Sequence, residues 1–284
     1  MLVIIGAIVV LVSVLGGYVL SHGSIAALWQ PYELLIIFGG AIGAFVSANS
    51  MELVKNAARD AMGLLKGPKY KKQDYVDLLS LLYDIFVKMR KDGQLAMEEH
   101  IENPENSSLF TAYPRLVAEH HLVDFITDCL RLIVGGSMDP HELESLLDVE
   151  LETHHHEATA PAMAVQKMAD ALPGFGIVAA VLGIVITMKS IDGDAAVIGE
   201  HIAGALVGTF LGILLSYGFI GPLAAAMEAR AHADGKAFEC VKVALLANLR
   251  GYNPMVAVEF ARKSLTSSSR PTFQDLEGHL KAAR

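Results

Sequence analysis

Two apolar runs decide how this chain folds: Leu172–Met188, LPGFGIVAAVLGIVITM, and Ile202–Leu223, IAGALVGTFLGILLSYGFIGPL. Neither contains Asp, Glu, Lys or Arg. A helix of about 20 apolar residues, rising 1.5 Å per residue, crosses a hydrocarbon core roughly 30 Å thick. The two runs therefore read as a membrane hairpin, with the chain turning back between Gly193 and Gly199. Pro173 opens the first run and Pro222 closes the second, which puts both prolines together at one mouth of the hairpin. Gly204, Gly208 and Gly212 recur every four residues, a stripe that lets another helix backbone come close. On the first helix Gly176, Ala180 and Ile184 share one face, and Ala179 and Gly183 the neighbouring one. The polar side chains at membrane depth are Thr187, Thr209, Ser216 and Tyr217. A lone threonine in such a helix more often bonds the carbonyl four residues back than a ligand.

Working outward, Leu2–Leu20 is a third apolar run. No Lys or Arg precedes it and no small-x-small site follows, so it reads as a retained span and not a cleaved signal. Ser21–Ser24 breaks it. Trp29 and Tyr32 follow, residues that favour the membrane–water boundary. Glu33 precedes a fourth, shorter run, Leu34–Ala48, in which Gly39, Gly43 and Ser47 lie on one face suited to helix packing. On this reading no Asp, Glu, His or Lys lies deep in any span. An ion path needs such a group, so either no ion moves or a partner supplies the acid.

The remaining sequence is helical and more polar. Tyr75, Leu78, Leu79, Leu82, Tyr83 and Phe86 form an amphipathic face. A second face runs from Leu116 to Leu130 and stops at Gly135-Gly136. Asp139 is a natural N-cap, with Pro140 at the first helical position. After the hairpin, Phe238 to Leu249 predicts a long helix ended by Gly251–Pro254, then a short one around Val256–Phe260 and a polar end. Lys55, Arg59, Lys66, Lys69, Lys71 and Lys72 follow the fourth run, whereas the Ser21–Glu33 link has no basic residue, which places the large middle loop and both termini in the cytoplasm. The predicted fold is thus an all-α membrane protein with four spans: residues 1–50 and 170–224 in the membrane, a helical cytoplasmic domain over 51–169, and a cytoplasmic tail over 225–284.

Composition excludes other classes. Hydrophobic residues make up 53% and charged residues 19%, with a net charge of −9; the excess of acid argues against nucleic acid as a partner. Cys129 and Cys240, far apart, are no disulfide framework. His154-His155-His156 point three ways around a helix, so no metal site is expected. No phosphate loop, cofactor motif or nucleophile motif appears, and the chain does not read as an enzyme. Lys88, Arg90 and Lys91 before Gly93, and Glu98-Glu99 after it, suit the dipoles of the helix ends they occupy; a docking surface is the other reading.

Leu172–Ala180, Val207–Leu215 and Tyr217–Leu223, with Gln30–Leu34, Ile101–Pro104 and Ala257–Lys263, resemble the MotA family, the larger membrane subunits of bacterial flagellar stators. The resemblance spans almost the whole chain. It implies an inner-membrane ring, a pentamer around two copies of MotB, whose single helix carries the ion-binding aspartate that is absent here. It implies coupling roles for Pro173 and Pro222, a place beside that aspartate for Thr209, and contact with the rotor protein FliG for Arg90 and Glu98. Sodium-type relatives carry a threonine where this chain has Ala180; a sodium ion needs oxygen ligands, so the resemblance implies a proton-driven path. The alternatives are a sodium-driven stator, an ExbB- or TolQ-type energiser, which would have fewer spans, and a scaffold whose hairpin only oligomerises.

Overall fold

The computed structural model describes residues 2–136, 138–189 and 194–282. Every regular element among them is helical. Among the described residues, four helical stretches are long and apolar enough to span a membrane: Leu2–Leu20, Ile25–Ala48, Pro140–Met188 and Ala195–Leu249. The principal helices are α1 (Leu2–Leu20), α2 (Pro31–Ala48), α3 (Met51–Gly63), α4 (Lys72–Asp92), α5 (His120–Val134), α6 (Pro140–Met188), α7 (Ala195–Leu215), α8 (Gly221–Leu249), α9 (Pro254–Ser264) and α10 (Phe273–Ala282). The chain divides into two compact units, Met1–Gly67 with Glu157–Ala231 and Pro68–His156 with His232–Arg284.

Helix ends follow local chemistry. The break after α1 is made by His22, which takes a left-handed conformation at φ 67. Pro31 stands at the start of α2, so that helix begins earlier than its apolar run and takes Glu33 into its first turn. Asp139 caps α6: its Oδ1 accepts the N–H groups of His141 and Glu142 at 2.7 and 3.0 Å, and Glu142 accepts the Asp139 N–H at 3.1 Å. These reciprocal bonds satisfy donors a helix start leaves free, and they hold the Asp139 carboxyl below its ordinary range.

Four expectations change. Pro173 does not start a helix; it lies inside α6, as does Pro161. A proline inside a membrane helix frees one carbonyl, which neighbouring helices and local adjustments compensate. Pro222 likewise does not end the second helix. A wide π-type turn at Ser216–Ile220 joins α7 to α8, and it falls where Pro222 has no N–H to give. Gly199 lies within α7, while residues 190–193, where the reversal begins, fall outside the described residues. The polar end also holds a helix, α10. In α10, Leu276 and Leu280 are buried, and Thr272 and Asp275 form a reciprocal cap, with both bonds at 3.1 Å.

The second unit has one hydrophobic core, built from Leu78, Leu79, Leu82 and Phe86 of α4, Phe125, Ile126 and Leu130 of α5, Val241, Ala244 and Leu245 of α8, Val258 and Ala261 of α9, and the two α10 leucines. Cys129 and Cys240 are free thiols in this core, and burial pushes both thiols well above their ordinary range. In α9 the buried Arg262 makes two bonds of 2.7 Å to Glu259 and one of 2.8 Å to the Pro271 carbonyl. In the first unit, Ala57 of α3 packs with Ala162, Val165, Ala224 and Met227.

Candidate functional site in the membrane hairpin

The glycine stripe of α7 is buried against α6. A Cβ on Gly212 would lie 2.7 Å from the Leu172 carbonyl oxygen and 3.0 Å from the Gly176 Cα. One on Gly176 would lie 2.9 Å from the Gly208 carbonyl oxygen and 3.4 Å from the Thr209 Cα, and one on Gly208 would lie 3.2 Å from the Ala179 Cβ. Further along, a Cβ on Gly183 would meet the Ala205 Cβ at 3.0 Å. The two backbones therefore touch, as a small-residue seam permits. The α6 face used is Gly176, Ala179 and Gly183; Ala180 is half-buried and Ile184 exposed.

The polar residues at this depth divide. Thr187 donates to the Gly183 carbonyl at 2.8 Å, the bland role of a membrane threonine. Among the described residues Thr209 makes no such bond, and it is half-buried beside the Gly176 seam. The two prolines do not sit side by side. Pro173 lies at the level where Leu172 and Gly176 meet Gly212, while Gly221, next to Pro222, faces Gln166. Seven residues separate Gln166 from Pro173, an offset of about 10 Å along α6. Because both helices continue past their prolines, the antiparallel register and not a shared mouth sets where each proline stands.

One acid, expected only to precede its span, lies against the hairpin. Glu33 lies in the first turn of α2, and a Cβ on Gly204 would stand 3.5 Å from its Oε1, one on Gly208 3.5 Å from its Cγ. The carboxylate is thus laid into the groove of the α7 stripe. Its Oε2 is enclosed without a hydrogen-bond partner. The signal in the sequence was Pro31 at a helix start, which carries the helix back through Glu33. The packing glycine of α2 is Gly40, on which the Phe175 ring lies; Gly39 and Gly43 face open space. One residue of helix is a rotation of about 100°, enough to select the neighbouring face.

In the second unit Arg90 and Glu98 are exposed. Arg90 stands in the last turn of α4 and Glu98 in the first turn of Glu98–Glu102. Gly93, at φ 87, makes the turn between them, a conformation side chains resist. Both charges suit their helix ends, yet neither makes an ion pair among the described residues. Arg90 and Lys91 border a largely apolar cavity of about 390 Å³ lined by Tyr83, Val87, Asn253, Pro254 and Met255. His154 packs against Phe238 and His155 against His232 with tilted rings, centroids 4.2 and 4.5 Å apart. No cluster of three or more metal-ligating side chains occurs among the described residues.

Comparison with known proteins covers both units. Residues 4–93 match the Motility protein A N-terminal family, and residues 118–239 the MotA/TolQ/ExbB proton channel family. The chain is 48% identical to Motility protein A of Salmonella typhimurium and to that of Escherichia coli, over 100% of this chain and 96% of each relative. It is 42% identical to the chemotaxis protein LafT of Vibrio parahaemolyticus, over 96% of this chain and 95% of that one. Its fold is that of a chain in the C. jejuni MotAB structure, with a TM-score of 0.75 at 19% identity, covering 95% of this chain and 98% of that one. It is also that of a chain in the flagellar MotAB stator complex from Bacillus subtilis, with a TM-score of 0.69 at 23% identity, covering 99% and 98%. Identity of 48% along the full length decides the matter: the chain belongs to the Motility protein A family.

Proposed function

We propose that this chain is the larger stator subunit of a bacterial flagellar motor, converting proton flow into torque together with a MotB-type partner. The observation that carries the reading is full-length kinship with Motility protein A, in a chain whose two hairpin runs carry no acid of their own and offer a half-buried surface at Thr209. A partner helix bearing an aspartate completes that surface. Five copies of this chain around two partner helices form the ring, in the inner membrane. The basic residues after α2 keep the large loop and both termini in the cytoplasm.

Protonation of the partner aspartate removes its charge and changes its contact with the Thr209 face. The ring then steps, and Arg90 and Glu98 move the rotor protein FliG. Each proton contributes about 2.3 kcal/mol per 100 mV of membrane potential. Exposed charge pairs contribute about 0–1 kcal/mol each, weak enough for engagement that is made and broken at every step. Ala180 leaves the path one hydroxyl poorer than a sodium site requires, which favours protons. The second unit has the apolar cavity beside Arg90 to receive part of the rotor surface, alongside the charges.

Proton flux into vesicles carrying this chain and its partner tests the reading. Flux is expected with the pair and abolished when the partner aspartate becomes Asn. Sodium-dependent flux at an unchanged proton gradient would refute the choice of ion; no flux of either ion would refute the stator. Reversing both rotor charges, Arg90→Glu with Glu98→Lys, is expected to lower torque at least fivefold. The complex should still be recovered intact from the membrane, and its loss there would count against a rotor-contact role.

A further inference from the structure

We infer that Glu33 takes up and hands on protons at the outer end of the ion path, a role that rests on the proton-driven reading above. The orientation set by the basic residues after α2 places the start of that helix at the outer face. A carboxylate kept only for the helix dipole needs no more than an exposed place in the first turn. Glu33 has something else: it is laid along the α7 groove, over Gly204 and Gly208. Its Oε2 is enclosed with no donor, and it supplies no cap to α2. A buried acceptor without a donor is costly and rare, so its retention calls for a use. Intramembrane acids are functional by default, for the same reason.

The surroundings fit a proton step. Gln30, whose side-chain amide donates to the Ala27 carbonyl at 3.3 Å, also borders Gly204. His201 lies on α7 three residues before Gly204, which puts both on one face. Its Nδ1 is likewise enclosed without a partner. From α6 the groove receives Gly176 and Ala179, neither of them titratable, and Glu200 beside His201 is exposed. Among the described residues at this end of the hairpin, Glu33 and His201 each keep an enclosed side-chain atom with unused bonding capacity, while Asp194 is occupied in capping α7. The step is simple: one carboxylate oxygen gains an O–H from an incoming hydronium ion, then gives that proton to the next acceptor inward. Gly204 and Gly208, having no side chains, leave the acid its place beside the wall that carries Thr209.

The test uses the whole complex with its partner. Flux is measured for wild type, Glu33→Gln and Glu33→Asp across external proton concentrations. Glu33→Gln is expected to cut flux at least tenfold at low external proton concentration and less than twofold at saturation, because uptake and not the central step is slowed. Glu33→Asp should restore most of the loss, which a merely structural role would not explain. In parallel, the wild-type complex is treated with dicyclohexylcarbodiimide, which adds to protonated carboxyls in apolar surroundings, and labelled peptides are mapped. Label on Glu33 is expected. Full flux in Glu33→Gln at every concentration, or no label on Glu33, would overturn the inference, and the labelling decides if Glu33→Gln fails to assemble. Absence of proton flux in wild type would instead refute the stator reading itself.

Discussion

Gly212→Ala is expected to abolish assembly of the membrane complex, measured as the fraction of this chain that co-purifies with its partner. The added Cβ would sit 2.7 Å from the Leu172 carbonyl oxygen and 3.0 Å from the Gly176 Cα. Both are backbone atoms, so no side chain can swing aside, and α6 and α7 must part. Overpacking of this kind costs about 1–3 kcal/mol. In lipid the loss is harder to offset, since close packing and not water exclusion holds helices together. Two controls isolate the cause. Gly204→Ala adds its Cβ at ordinary contact distance, 3.5 Å from Glu33 Oε1, and Gly39→Ala adds one to open space. Both should assemble. Assembly of Gly212→Ala at the wild-type level would show that the seam is looser than its geometry.

Arg262→Ala is expected to destabilise the second unit by roughly 3 kcal/mol, lowering its Tm by roughly 8 °C in detergent. The guanidinium is 8% exposed. It holds Glu259 through two bonds and gives the buried carbonyl of Pro271 its donor. Truncation leaves that acceptor unsatisfied and the carboxylate without its cation. Acidity adds a second signature. The Arg262 hydrogen bonds hold the Glu259 carboxyl below its ordinary range, against a smaller opposing effect of burial. A folded-state value below the unfolded one means that the linked stability is present above about pH 4.3, the ordinary glutamate value. It is lost as pH falls through the folded value. The gap between wild type and Arg262→Ala should therefore narrow as pH is lowered below about 4. A gap that is constant down to pH 3 would show that the pair contributes through packing alone.

Four spans were legible because span length and apolar content are local properties. Leu2–Leu20 was read with the bounds the structure has, and the α7 stripe was legible from its spacing of four. Asp139 and the Tyr75–Phe86 face were legible because capping and amphipathic period are written within a turn or two. Three features were not. Pro173 and Pro222 look like helix ends, yet neighbouring helices and a π-type turn carry the chain through both. Leu276 and Leu280 were too few to announce a helix until α4 covered them. Glu33 looked like a boundary residue because its own segment does not say which groove it lies in.

The sequence by itself determined an all-helical membrane chain, its family and the glycine stripe of α7, because hydrophobic length and small-residue spacing suffice for those. Only the tertiary structure decided that Gly176, Ala179 and Gly183 form the packed face of α6, that the prolines stand about 10 Å apart in level, and that an acid lies against the hairpin. Burial of a side chain depends on which helix covers it and in what register, and register is a relation between segments that no single segment contains.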